Sequence, residues 1–369
     1  MSYKVRFVNP EEHYRRLKHE IDETFQDVMS RGDLIYRDDL KQFEDHLADF
    51  VGTDYAVGLN SGYDALHVSL RAAGIGEGAE VITVAHTFVA TVSAIVNVGA
   101  KPVLVDVGKD FNMNMASFEN AITPNTIAVL PVHLNGRMSN MGRLMEIADA
   151  HDLLVISDAA QSLGASYKDK KAGSWGDAAC FSFYPFKILG AFGDAGAITT
   201  NNPEIAEIAT LLRYNGEDRE TREYRYHGRT CLLDNLQAAF LDLKLKYLPM
   251  WISWRQHLAD MYYDGLSDLE QVDLPHFEGD AYEEVYQNYV IRADDRDNLV
   301  RFLENEKGVE TLVQWDKPMY EHDGLNLEGY QLPETERICE RVMSLPMYVE
   351  LSERDVEYVI NSVREFYSK

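Results

Sequence analysis

From residue 54 to about 200 the chain alternates short apolar runs with stretches of helical period. Runs at Tyr55–Leu59, Glu80–Val84, Pro102–Val107, Ile127–Val132, Leu153–Ser157, Ala179–Phe183 and Ala197–Thr200 read as strands. Several are near-continuous Val/Ile/Leu segments, the pattern of strands covered on both faces. Between them, Tyr63–Ala73, Met115–Ala121 and Arg143–His151 predict helices. The alternation predicts an α/β fold: a mainly parallel seven-stranded sheet flanked by helices, with its working groups at the carboxyl ends of strands.

After residue 200 the pattern changes. Helices are expected at Asn202–Arg213, Asn235–Leu248 and Met250–Leu269, and the charged segment Asn215–Gly228 reads as a surface loop. Shorter elements follow: a strand at Tyr286–Arg292, a helix at Asp295–Glu306, a strand near Val309–Gln314 and a last helix at Glu353–Tyr367. The expected division is a large α/β domain over residues 1–249 and a smaller C-terminal α+β domain over 250–369. A chain of 369 residues suits two such units.

Composition narrows the function. With 61 acidic against 35 basic side chains, the net charge is −26. Such a surface repels nucleic-acid phosphates and anionic membranes, so neither is an expected partner. Cys180, Cys231 and Cys339 have no paired spacing, and no disulfide framework or metal site is expected. No apolar run is long enough to span a bilayer, and the amino-terminal residues have no signal-like apolar core. A cytoplasmic enzyme is the reading.

Four features carry candidate chemistry. In LLVISDAAQSLGA (153–165) a strand delivers Asp158 to its carboxyl end, followed by Gln161. In FSFYPFKILGAFGDAGAI (181–198) Ser182 ends a strand and Lys187 follows among aromatics, where a desolvated amine becomes nucleophilic. In YAVGLNSGYDALHVSL (55–70) Gly62 and Tyr63 open a helix whose free N–H groups suit a phosphate. Phe88 follows the strand Glu80–Val84, where a ring can stack on a planar ligand. Each has an ordinary explanation taken alone: Asp158 as a helix cap, Lys187 as a snorkelling lysine, Asn60-Ser61-Gly62 as a turn, Phe88 as core. Together, and in this order, they match what pyridoxal 5′-phosphate (PLP) requires: a phosphate anchor, a stacking ring, an acid at the pyridine nitrogen and a lysine for the Schiff base.

At these residues the chain resembles the DegT-type sugar-nucleotide aminotransferases, a branch of the fold-type I PLP enzymes. The resemblance includes NSGYDAL at 60–66, EVITVAHTFVAT at 80–91, DAAQSLGA at 158–165, FSFYPFKILGAFGDAGA at 181–197 and SLPMY at 344–348. It implies Lys187 as the Schiff-base lysine, Asp158 at the ring nitrogen and Gln161 at the ring hydroxyl. It also implies Phe88 on the ring, and Ser182 with the amides of Gly62 and Tyr63 on the phosphate. A homodimer with shared active sites is implied, as is transfer of an amino group from L-glutamate to a nucleotide-linked keto sugar. Keeping lysine at 187 points to transamination rather than dehydration.

The departures lie elsewhere. Tyr63 stands where the family often has threonine. Thr230 and Leu232 occupy the family's Asn-x-Arg positions, whose Asn reaches the neighbouring subunit's phosphate; Thr230 keeps one hydrogen-bonding group and Leu232 keeps none. Gln314 and Trp315 replace a His-Tyr pair and are the candidate substrate contacts. These changes leave open an unlinked keto-cyclitol or a small phosphorylated ketone as acceptor; a regulatory protein that binds PLP without turnover is a separate alternative, against which Lys187 and Asp158 stand intact.

Overall fold

The computed structural model describes residues 3–275 and 281–368. Before the sheet come helices α1 (Pro10–Arg16), α2 (Lys18–Arg31) and α3 (Asp38–Val51), which the strand-helix alternation did not predict. The strands that follow are β1 (Tyr55–Leu59), β2 (Glu80–Val84), β3 (Lys101–Val105), β4 (Thr126–Leu130) and β5 (Leu154–Asp158). A short hairpin, β6 (Ser166–Tyr167) and β7 (Lys170–Lys171), precedes β8 (Ala178–Ser182) and β9 (Gly196–Thr200). The seven-stranded sheet runs β1-β9-β8-β5-β4-β2-β3. It is parallel from β8 through β3, while β9 pairs antiparallel with both β8 and β1. All five residues of β2 and of β9 are buried, so these strands carry no alternation of polar and apolar positions.

The connecting helices show why they start where they do. In α4 (Gly62–Ala72) the Ser61 side chain accepts from the Asp64 amide, while α5 (Val89–Asn97) begins after Phe88 in extended backbone. Two short helices, α6 (Met115–Asn120) and α7 (Met141–Ala150), have asparagine caps at 114 and 140. For α8 (Pro203–Leu212), Asn202 caps the first turn and Pro203 fixes its φ.

Beyond α9 (Asn235–Leu245), the 19-residue α10 (Leu248–Leu266) joins two separate buried clusters. Leu248 and Trp251 pack into the cluster around the large sheet, whereas Leu258, Ala259, Tyr262 and Leu266 pack into the second. That second cluster lies on a sheet of β10 (Val272–Asp273), β12 (Tyr289–Ala293) and β13 (Val342–Leu345), while β11 (Tyr282–Glu283) pairs with β6. It is closed by α11 (Arg296–Phe302) and α13 (Glu353–Tyr367), with α12 (Pro333–Arg341) running into β13. The amino-terminal residue Val5 belongs here too, bridged to Val309.

One expected strand is corrected. Val309–Gln314 forms only isolated bridges, Val309 to Val5 and Leu312 to Ser344. The expected strand at Tyr286–Arg292 begins only at Tyr289, and the helix from Asp295 ends in a π turn over Leu303–Lys307. No helix among the described residues is long and apolar enough to cross a membrane.

Candidate active site

The carboxyl ends of the parallel strands and the start of α4 surround a cavity of about 590 Å³. Its walls include Gly62, Tyr63, Phe88, Asp158, Gln161, Ser182, Lys187, Gln314 and Trp315. Nine of the ten sequence candidates therefore share one cavity. The tenth, Thr230, is exposed outside it, bridged to Tyr214 and donating to Asn215 Oδ1 at 2.9 Å. Leu232 is buried and bridged to Leu59.

Asp158 ends β5 and is buried. Its Oδ2 accepts from Thr91 Oγ1 at 2.8 Å and its Oδ1 from the Ala160 amide at 3.1 Å. Burial leaves its pKa raised, with those two hydrogen bonds and the Lys187 charge opposing the rise in part. The carboxylate is thus oriented from behind by protein donors. Thr91 is itself 2.8 Å from Thr87 Oγ1. A hydroxyl has one proton, so if Thr91 donates to Asp158, Thr87 must donate to Thr91.

Lys187 sits in a turn after β8, its amide donating to the Tyr184 carbonyl at 2.8 Å. Burial pulls its pKa down to about 8, against the opposing pull of Asp158. Near neutrality a usable fraction of the amine is therefore free, which an exposed lysine does not offer.

The phosphate end depends on missing side chains. A Cβ on Gly62 would stand 2.7 Å from Ser182 Cβ, and one on Gly196 would stand 2.4 Å from the Ser61 carbonyl carbon. Two glycines thus let the strand ends of β8 and β9 close directly on the helix start. Ser61 takes the Asp64 amide, leaving those of Gly62 and Tyr63 without an acceptor inside the helix. Phe88 is 58% exposed although it lines a cavity, as a ring kept free for a ligand face would be. Gln161 is buried and accepts from the Asn135 amide at 2.8 Å.

Several residues of the site escaped sequence reading. Thr91, behind Asp158 rather than on the cavity wall, stands four residues after Thr87 and shows only as a polar residue in an apolar helix. Tyr184 and Asp194 line the cavity. So does His133, buried, with Nδ1 3.2 Å from the Ser139 amide. An Nδ1 that accepts from an amide leaves the ring proton on Nε2, which has no protein partner. Burial keeps this ring neutral, with a pKa lowered to about 3. An orphaned donor, an oriented carboxylate, an exposed ring and a glycine-lined helix start in one cavity fit a flat pyridine carrying a phosphate. No group of three or more His, Cys, Asp or Glu side chains suited to a metal occurs among the described residues.

The family model described as the DegT/DnrJ/EryC1/StrS aminotransferase family matches residues 15–364. A protein of Geobacillus stearothermophilus named pleiotropic regulatory protein is 40% identical over 364 residues, 96% of each chain. The dTDP-3-amino-3,4,6-trideoxy-alpha-D-glucose transaminase of Streptomyces venezuelae is 37% identical, covering 98% of this chain and 96% of that one. Among solved structures, S. venezuelae DesV in complex with a ketimine intermediate superposes with a TM-score of 0.96 at 36% identity, covering 100% of this chain and 99% of that one.

Proposed function

This chain belongs to the DegT/DnrJ/EryC1/StrS aminotransferase family, and from that premise we propose that it transfers an amino group from L-glutamate to a keto sugar carried on a nucleotide. Its cofactor is pyridoxal 5′-phosphate, alternating with the pyridoxamine form. When bound, that group supplies a conjugated, protonated ring that stabilises negative charge at the carbon bearing the amino group.

The observation that carries the reading is that Asp158 and Lys187 line one cavity together with the glycine-lined start of α4. In this reading Asp158, held by Thr91 and Ala160, keeps a proton on the ring nitrogen. Lys187 Nζ takes and returns a proton at the amino-bearing carbon, helped by its lowered pKa. The amides of Gly62 and Tyr63 with Ser182 Oγ hold the phosphate, Gln161 faces the ring hydroxyl, and Phe88 covers the ring. Gln314 and Trp315 meet the sugar or its base. Thr230 reaches a neighbouring subunit's phosphate in this reading only by turning its single hydroxyl proton away from Asn215 Oδ1.

A homodimer with shared sites goes with this. Leu34, Ile35, Phe186 and Phe192 are more than 40% exposed, an apolar surface that a second copy would cover. We read the chain as a large unit, 1–249, and a small unit, 250–369, with Val5 and Trp251 each packing into the other unit's cluster, in a cytoplasmic enzyme.

The relative named as a regulatory protein motivates a second reading, a PLP-binding protein without turnover. Lys187 and Asp158 together in the cavity favour catalysis. The deciding experiment mixes the purified chain with glutamate and a panel of dTDP- and UDP-linked keto sugars. Formation of 2-oxoglutarate and an amino sugar, read by mass spectrometry, is expected; cofactor bound but unchanged by glutamate would select the regulator.

A further inference from the structure

Lys187 has an unusual backbone setting. It lies outside any helix or strand, and the two peptide groups that flank it are held by one side chain, that of Gln287. Gln287 Oε1 accepts from the Ile188 amide at 2.7 Å, and its Nε2 donates to the Phe186 carbonyl at 3.0 Å. A primary amide offers the same donor and acceptor as a strand partner, so this side chain acts as a one-residue ladder for the turn. Gln287 is buried and nearly a hundred residues away in sequence, two residues before β12 begins.

The clamp is itself anchored. Arg255 Nη1 on α10 donates to the carbonyls of Tyr286, Gln287 and Met347 at 3.0, 3.2 and 3.0 Å. On one side, the Val285 amide donates to Gly136 O at 3.0 Å, beside the Asn135 amide that Gln161 accepts from. On the other, Asn288 Nδ2 donates to Gln314 Oε1 at 3.0 Å. Residues 285–288 therefore touch, in succession, the turn behind Gln161, the lysine turn and Gln314 on the cavity wall.

We propose that Gln287 is a positioning residue: it fixes the backbone of Lys187, and through residues 285–288 it ties the placement of that amine to Gln314. A lysine reaches its target through four flexible carbons, so a shift at its Cα is carried to Nζ, and misplacement of about 1 Å slows chemistry steeply. The inference rests on the reading that Lys187 carries the cofactor and moves the proton.

The test compares wild type, Gln287→Ala and Gln287→Glu as holoenzymes. For Gln287→Ala, single-turnover reaction with glutamate is expected to slow by about 10- to 100-fold with KM changed less than about threefold. The pH midpoint of the bound cofactor's visible absorption is expected to move as well. Gln287→Glu, whose protonated carboxyl restores the donor and acceptor, is expected to recover toward wild type as pH falls. A wild-type rate and midpoint in Gln287→Ala, or a defect confined to KM, overturns the proposal. If Gln287→Ala does not fold, the pH-dependent recovery of Gln287→Glu decides in its place, and its absence overturns the proposal. If the wild-type chain takes up no PLP, the proposed function fails on its own account. The clamp is then read by mass-spectrometric labelling of Lys187 with acetic anhydride: a changed pH midpoint in either variant supports it and an unchanged one overturns it.

Discussion

Thr91 Oγ1 donates to Asp158 Oδ2 at 2.8 Å, tying the first turn of α5 to the end of β5. The bond helps keep a buried carboxylate ionised and aimed, because burial alone raises its pKa. In Thr91→Val the carboxylate loses a donor with almost no change of volume, and the loss of such a bond to a charged group costs about 1.5–3 kcal/mol. We expect a lower Tm and weaker PLP binding, with both recovered in Thr91→Ser. Thermal unfolding and a visible-absorption titration with PLP measure the two effects, and unchanged PLP affinity in Thr91→Val would contradict the role given to Asp158.

The Gly62–Ser182 contact gives a steric prediction. In Gly62→Ala the new methyl meets Ser182 Cβ at 2.7 Å, and such overpacking costs roughly 1–3 kcal/mol. The helix start must move away from the strand end, so PLP affinity is expected to fall about tenfold or more. Because the cause is space rather than a lost hydrogen bond, Gly62→Ala combined with Ser182→Gly recovers part of the affinity, beyond the sum of the single changes. Calorimetric titration of all four proteins checks it.

Lys187 sets a pH dependence. Its amine loses its proton near pH 8 in the folded chain, against about 10.4 for an unperturbed lysine. Between these values the unfolded chain holds a proton that the folded chain has released, so this group makes stability rise with pH across that window. Its reactivity follows the folded value: capture of PLP by the cofactor-free chain is expected to accelerate through about pH 8 and level off above it. Stopped-flow absorption at a series of pH values reads this directly. Lys187→Ala removes the pH-dependent capture. Lys244, also buried with a pKa lowered to about 8, remains in that variant and serves as an internal control.

Much of the cavity was visible in the sequence because its residues end strands. Asp158, Ser182 and the Gly62 turn follow apolar runs directly, and parallel strands deliver their carboxyl ends to one edge. The supports were not visible, since they come from distant parts of the chain. Thr91 reaches Asp158 across 67 residues and Gln287 reaches Ile188 across 99. No local period marks a residue whose partner is brought in by the fold. The Val309–Gln314 segment shows the converse error. It has the apolar content of a strand, but β13 already pairs with β12, and only Leu312 bridges to its free side.

Trp315 stands at the end of the cavity where this chain differs most from the family pattern. Its backbone is left-handed, with φ at 58°, and its indole meets His86 edge-on with centroids 5.5 Å apart. His86 is buried and kept neutral, its pKa lowered to about 4, so this contact is apolar packing rather than a charge pair. One indole edge is thereby fixed while the residue still lines the cavity. An aromatic ring stacked on a nucleotide base contributes about 1–3 kcal/mol. Trp315→Ala is therefore expected to raise KM for a nucleotide-linked acceptor by roughly 5- to 150-fold, with Trp315→Phe intermediate. Reaction with glutamate, in which the indole is given no part, should keep its single-turnover rate. Steady-state kinetics with the acceptor and stopped-flow kinetics with glutamate separate the two half-reactions. If Trp315→Ala lowers Tm without changing KM for any nucleotide sugar, the indole only packs against His86, and the acceptor is better sought among unlinked keto-cyclitols or small phosphorylated ketones.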